Sequence, residues 1–321
     1  MNRLLARIVT VCCLAACALP ARADDYPSKP VRLVVGFAAG GTTDITARLI
    51  AQALGELWGQ QVVVENRPGA GTAIASALVA QAAPDGYTLY QNSSSHVAIK
   101  LIQKQLAFDP ITDFTPISKV LFTSNIILVN NAQPIHTVSE LIAVARAKPG
   151  TITYGNPGHG TITHLGGELF KQMAGIDIIA VPYRGGALSV QALISGELPM
   201  TFNTVPEVMS QISAGTVRAI AVTTAKRTAV LPGVPTIAET LPGYDVEIWQ
   251  AWLGPPGLPA PLVAKINGGL VKVLGDPKLK KRFADFGAEA VSSTPDELLA
   301  TMKNELARWT RVVQIAGIKA D

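Results

Sequence analysis

Residues Val31 to Asp44 constrain this chain more tightly than any other stretch. Val31-Arg32-Leu33-Val34-Val35 reads as a strand. Gly36-Phe37-Ala38-Ala39-Gly40-Gly41-Thr42-Thr43-Asp44 follows, small or flexible except at Phe37. Ile45, Leu49, Ala53, Leu54 and Leu57 then fall on one helical face. A strand that passes through glycines into a helix leaves the first helical N–H groups without intrahelical partners. Those donors and the positive end of the helix dipole suit the turn to an anion. Thr42 or Thr43 is the expected N-cap. Turns of this kind also occur simply to pack a helix close to a sheet, so this one alone does not establish a binding site.

The device repeats. Thr151-Ile152-Thr153-Tyr154 reads as a strand, Gly155-Asn156-Pro157-Gly158-His159-Gly160-Thr161 as the loop, and a helix opens near Ile162 and runs to Ala174. A third polar loop, Asn92-Ser93-Ser94-Ser95-His96, ends the strand Tyr87–Gln91. Between these lie a strand at Gln61–Glu65, a helix over about Thr72–Ala82 and a strand at Asn125–Val129. A helix over roughly Val138–Ala147 follows, then a strand at Ile178–Pro182 and a helix over about Ala187–Ser195. The alternation implies parallel strands flanked by helices. The stretch from Asp109 to Phe122 looks irregular. Val246–Trp252 reads as a strand returning to the first domain. Two terminal helices are expected, over about Pro261–Leu274 and from Thr294-Pro295-Asp296-Glu297, a capping box with proline at the first helical position.

The first residues carry a separate message. Arg3 and Arg7 precede an apolar run from Ile8 to Leu19 and then Pro20-Ala21-Arg22-Ala23. This describes a secretory leader, residues 1–23, cleaved after Ala23 where the polar Asp24-Asp25 begins. Leu14-Ala15-Ala16-Cys17 offers the alternative of lipidation at Cys17. The leader holds all three cysteines, so disulfide and thiol chemistry are not expected of the mature chain. Its three arginines and absence of acids mean that removing it takes the net charge from +4 to +1 and leaves 298 of 321 residues. No lysine–arginine patch interleaved with aromatics argues for nucleic acid.

Signs of catalysis are missing. There is no Gly-x-Ser-x-Gly pentapeptide and no Walker motif, and Gly69-Ala70-Gly71 is too short for a dinucleotide fingerprint. His159 and His164 are five apart, the wrong spacing for a pair of metal ligands on one helical turn. No enzyme activity, cofactor or metal is expected.

The pattern of short motifs resembles the Bug family of extracytoplasmic solute receptors, the substrate-binding components of tripartite tricarboxylate transporters. The matching stretches are Tyr26–Val31, Gly40–Asp44, Val64–Gly71 and Pro84–Leu89. Lys148-Pro149-Gly150 with Tyr154, His164-Leu165, Val181–Gly185, Pro235–Glu239 and Trp309 complete the series. The resemblance implies an α/β fold, a two-lobed, type II-like Venus flytrap in which each lobe is a mostly parallel sheet flanked by helices. Residues 24–124 with 248–321 would form a discontinuous first lobe, and 125–247 the second. It implies a periplasmic monomer that takes a small carboxylate and hands it to membrane permease subunits; a sensor kinase is the alternative partner. Carried over, Phe37, Ala39, Gly40, Gly41, Thr42, Thr43, Asp44, Ser93 and Ser94 would line one wall of the cleft. Asn156, His159, Gly160, Thr161, Tyr183 and Asn203 would line the other. The chain departs from the family at Gly36-Phe37-Ala38-Ala39, where proline-rich spacing is usual, and at Asn203, where many members carry aspartate. The amide at Asn203 favours a plain di- or tricarboxylate or an aromatic acid over an amino acid.

Overall fold

The computed structural model describes residues 26–103 and 105–316. The leader, its cleavage site and Cys17 lie outside the described residues. No helix among the described residues is long and apolar enough to cross a membrane.

Three parallel strands begin the fold: β1 (Val31–Val35) lies between β2 (Val62–Asn66) and β3 (Thr88–Ser93). Helix α1 (Thr42–Trp58) connects β1 to β2, α2 (Ala73–Ala80) connects β2 to β3, and α3 (Ser95–Ile102) follows β3. The helix forms, but its buried face is rotated from the one expected: Ala47, Ile50 and Leu54 are buried against Val31, Leu33 and Val35, while Leu49, Ala53 and Leu57 are only partly buried at the edge of that core.

The region that looks irregular in sequence holds the longest strand of the fold. β4 runs without interruption from Thr115 to Asn130. Its pairing with β9 (Glu247–Gly254) shifts register between Pro116 and Ser118 and again between Lys119 and Leu121. Such bulges break the in–out alternation by which a strand is recognised, which is why only Asn125–Val129 stands out in the sequence.

β4 joins two groups of strands. Its first part, Thr115–Ser124, pairs with β9, which also pairs with β3. Its last part, from Asn125, pairs with β7 (Met200–Thr204) and β8 (Val217–Val222). β5 (Ile152–Asn156) lies parallel to β7 and to β6 (Ile178–Pro182). The path β2-β1-β3-β9-β4-β7-β5-β6 therefore carries parallel strands toward both ends and antiparallel ones at the centre, where the chain crosses over. The chain recrosses next to this point, where Asn125 N–H donates to Thr223 Oγ1 and Val246 N–H donates to the Thr223 carbonyl.

The second group is covered by α4 (Val138–Ala147), α5 (Ile162–Ala174), α6 (Gly186–Ser195) and α7 (Val205–Ser213). Helix α7 starts directly from the end of β7 with Pro206 in its first turn. The sequence hides it because it is only nine residues long and carries a proline. The C-terminal part holds three helices rather than two: α8 (Ala260–Gly275), α9 (Pro277–Asp285) and α10 (Pro295–Ala316). Short and lysine-rich, α9 is started by the Asp276 carboxylate, which accepts from the Lys278 and Leu279 amides. The two-residue strand β10 (Glu289–Ala290) pairs with β4.

The capping box at α10 forms as read: Thr294 Oγ1 accepts from Glu297 N–H and a Glu297 oxygen accepts from Thr294 N–H. This helix packs on both groups of strands. Leu298 and Met302 are buried with Val34, Tyr90 and Trp249. Trp309, Val312 and Val313 are buried with Leu165, Phe170 and Tyr244. The Trp309 ring is fully enclosed, and its Nε1 donates to Glu305 Oε2 at 2.7 Å. Trp309→Ala is expected to destabilise the protein by about 3–5 kcal/mol, read as a lower denaturant midpoint. A loss below about 1 kcal/mol would mean that the helix end does not hold the fold.

Candidate functional site

The first turn of α1 is held in place from beneath by side-chain amides. Thr46 Oγ1 donates to Gln250 Oε1 at 2.7 Å, Gln250 Nε2 donates to Thr43 Oγ1 at 3.1 Å, and Gln91 Nε2 donates to Gln250 Oε1 at 2.8 Å. Trp252 Nε1 closes the set by donating to Gln91 Oε1 at 2.7 Å. All five residues are buried. None of Thr46, Gln91, Gln250 or Trp252 was singled out in the sequence; the visible clue was glutamine at inward positions of apolar strands.

The N-cap of α1 is Gly41, not Thr42 or Thr43, and it has no side chain with which to cap the turn. Both threonines lie inside the helix, with Thr43 serving the amide network. Asp44 stays within its own loop. Its Oδ2 accepts from Gly40 N–H at 2.9 Å and from Arg48 Nε at 3.1 Å. Burial alone would raise its pKa, but these bonds and the Arg48 charge hold the carboxyl below its ordinary value. Ala39 and Gly40 are exposed at the loop tip. Phe37 is half-buried against the core under α1.

Opposite this turn stand residues of the second group of strands. Thr42 Oγ1 lies 3.1 Å from Thr204 Oγ1, across 162 positions of sequence. Nearby, Ile162 N–H donates to Ser95 Oγ at 3.3 Å. Gly160 comes so close to Ile102 that a Cβ there would overlap that side chain. The structure therefore brings together the loop after β1, the serine loop after β3, the loop after β5 and the end of β7.

The loop after β5 does not copy the loop after β1, contrary to the sequence reading. Thr161 caps its own helix, accepting from His164 N–H at 3.2 Å and donating to the Gly158 carbonyl at 2.8 Å. His164 Nδ1 accepts from Gly160 N–H, and the Ile162 amide is taken by Ser95. The Ile162 and His164 amides of α5 are thus met within the protein, one by Ser95 of the serine loop and the other by Thr161 of this loop. His159 is exposed, its ring 4.9 Å from that of His164. The Tyr183 hydroxyl donates to Glu197. Asn203 is buried, and its Nδ2 donates to Ser189 Oγ at 3.0 Å and Thr201 Oγ1 at 3.2 Å.

Four polar atoms in these loops are buried and have no hydrogen-bond partner: Asp44 Oδ1, which is ion-paired with Arg48, and Ser94 Oγ, Asn156 Nδ2 and Glu207 Oε2. Buried polar atoms are nearly always paired, so the last three are the atoms a further group would meet. Glu207, in the first turn of α7, was missed because that helix was not read. Its carboxylate accepts from the Thr42 amide of α1 and the Thr204 hydroxyl. Burial raises its pKa to about 7 despite those bonds. Among the described residues no cluster of three or more histidines, cysteines or acids could hold a metal ion.

A mixed sheet shared by two helix-covered groups of strands, with glycine-rich turns meeting between them, is the fold of a two-lobed periplasmic binding protein. Residues 46–318 match the family described as "Tripartite tricarboxylate transporter family receptor", and the chain belongs to that family. It is 34% identical to the protein BugT of Bordetella pertussis, with 99% of each chain covered. Among solved structures, Rpa4515 of R. palustris with adipate is similar at a TM-score of 0.88 and 37% identity, covering 92% of this chain and 100% of that one. MatC of Rhodopseudomonas palustris with bound malate gives 0.83 and 31%, covering 90% and 100%. These are solute-binding receptors rather than enzymes, and the resemblance to Bug proteins holds.

Burial lowers the pKa of His164 from 6.5 to about 4, its neighbour Glu168 acting the other way. A histidine with a depressed folded pKa contributes stability above its unfolded value and loses it as the pH falls toward the folded one. Glu207, with a raised pKa, works in the opposite sense. The comparison that isolates the imidazole is therefore wild type against His164→Gln. Its melting-temperature advantage should shrink between about pH 6.5 and 4, and a constant difference across that range would contradict a neutral buried His164.

Proposed function

We propose that this chain is a periplasmic receptor that captures a small organic carboxylate between its two lobes and delivers it to the permease of a tripartite tricarboxylate transporter. The observation that carries the reading is the pair of unpartnered donor groups, Ser94 Oγ and Asn156 Nδ2, in loops that meet the α1 terminus at Gly41, of whose amides Glu207 takes the first. A carboxylate there would accept charge-assisted hydrogen bonds in a partly dry site, where such bonds are stronger than in water. The relatives with adipate and with malate support a carboxylate as the ligand class. A di- or tricarboxylate or an aromatic acid fits this class.

In this reading the lobes divide near Ser124 and Ile248, so that residues 24–124 with 248–321 close on 125–247. The two crossings next to Thr223 act as the hinge, a form of closure common to binding proteins of this architecture. The ligand wall comprises Phe37, the loop from Ala39 to Asp44, Ser93 and Ser94 on one side. Asn156, His159, Gly160, Thr161, Tyr183 and Asn203 face it. Within this set, Thr43, Asp44 and Asn203 contribute by fixing the loops rather than through free polar atoms.

A thermal-shift panel of di-, tri- and aromatic carboxylates at millimolar concentration tests the proposal, and at least one member should raise the melting temperature. No shift with any member would reject carboxylate binding. Gly41→Val sharpens the test. Gly41 has an extended backbone that any residue adopts, and a Cβ there meets nothing closer than 3.6 Å. The variant should fold, yet its branched side chain would fill the space in front of the α1 amides and abolish binding. Wild-type affinity by calorimetry in that variant would remove Gly41 from the site.

A further inference from the structure

Glu207 occupies an unusual position for an acid in a protein that takes up anions. It stands in the first turn of α7, with Thr204 as that helix's N-cap. From there the side chain reaches across the cleft to accept from the first amide of α1. Its Oε2 also rests on Gly186, the first residue of α6: a Cβ at Gly186 would fall on Oε2 and lie 2.5 Å from Asn203 Oδ1. Three helix N-termini therefore converge on one carboxylate, and none of the three is closed by a side-chain cap of its own. Oε1 lies on the α1 side, toward Gly41. Oε2 lies against Gly186, is sealed from solvent and accepts no hydrogen bond.

Among the described residues no positive side chain acts on this acid. Helix α6 and strand β7 carry no charged residue. The charged pair near the start of α1, Asp44 and Arg48, is turned on itself and toward Gly40 and Asn66. An unopposed buried carboxylate with an open acceptor position repels a second carboxylate and attracts a hydrogen-bond donor.

We propose that Glu207 is a specificity-determining residue of the cleft: its unpartnered oxygen accepts a hydrogen bond from a hydroxyl or ammonium group on the ligand. The protein then selects carboxylates that carry such a donor over the same acids without it. The inference rests on the carboxylate-receptor reading and narrows it. Ser94 Oγ and Asn156 Nδ2 donate to the ligand carboxylate, while Glu207 reads the rest of the molecule. The register that sets Gly155 beside Thr201 puts Asn156 one strand away from Asn203 and Thr204, so one small ligand spans both. The acid that the family pattern leads one to expect at Asn203 is thus replaced in effect by one four residues later, on the helix instead of the strand. A site built around a buried acceptor discriminates strongly, because a ligand lacking the donor leaves that acceptor unmet.

The experiment is calorimetry with matched acids: succinate against malate and aspartate, adipate against 2-aminoadipate, and benzoate against 4-hydroxybenzoate and 4-aminobenzoate. Each is measured at pH 8, where the acid is ionised, on wild type, Glu207→Gln and Glu207→Leu. In wild type at least one donor-bearing acid should bind tenfold or more tightly than its parent. Glu207→Leu should bring that ratio to about one while the parent acid still binds. Glu207→Gln, which keeps a neutral acceptor oxygen, should retain part of a hydroxyl preference and lose an ammonium preference. Equal affinities within every pair in wild type, or a preference that survives in Glu207→Leu, would overturn the role of Glu207 and leave the receptor reading standing. Absence of binding by every acid in all three proteins would instead overturn the receptor reading, and this inference with it.

Discussion

The first amides of a helix need acceptors, and this protein meets that need in two different ways. Helices α4, α5, α9 and α10 close their first turns with their own side chains: Thr137 accepts from Glu140, Thr161 from His164, Asp276 from Lys278, and Thr294 from Glu297. Helices α1, α3, α6 and α7 have N-cap residues that supply no such bond. These four begin around the cleft. An uncapped turn costs stability, typically about 1 kcal/mol relative to a capped one. Concentrating several at one place leaves donors and positive dipole ends where an anion can use them. The sorting is not strict: α5 also starts at the cleft yet is capped by its own Thr161, and the N-caps of α2 and α8 supply no such bond either.

That arrangement works only if the turns do not move when a ligand arrives. The Thr43–Thr46–Gln91–Gln250–Trp252 network supplies the rigidity beneath α1, linking the helix to two different strands of the sheet. Below the serine loop, the Asn92 amide donates to Thr72 and Tyr90, and the Tyr90 hydroxyl pairs with Ser76. Buried amides fully engaged in this way fix the direction of each donor during folding, so little ordering is left to binding.

Much of the fold was legible because periodicity reports it directly. The strand–loop–helix units at Val31–Trp58 and Ile152–Ala174 alternate cleanly between the two periods, and the capping box at Thr294 announces its helix. What was hidden follows from specific residues. Proline and two bulges disguise the first half of β4, and α9 is too polar to show an apolar face. In the site, loop positions could be read but their roles could not. The threonines at 42 and 161 look equivalent in sequence, yet one lies past a glycine cap and the other is the cap. Glu207 was out of reach, since its place depends on the short helix that starts at the end of β7 and on the absence of a side chain at Gly186. A contact across the cleft from position 207 to position 42 leaves no periodic trace.

Helix α10 has one more consequence. It spans about 33 Å at the rise of an α-helix, with Leu298 and Met302 seated on one side of the crossing strands and Trp309 on the other. Any motion that parts the two sides must draw one end of this rod out of its socket. In the two-lobe reading the apolar surface beneath the rod resists opening. It belongs in part to α3 and α5, whose first turns stand at the cleft, so one rod ties the backs of both helices together.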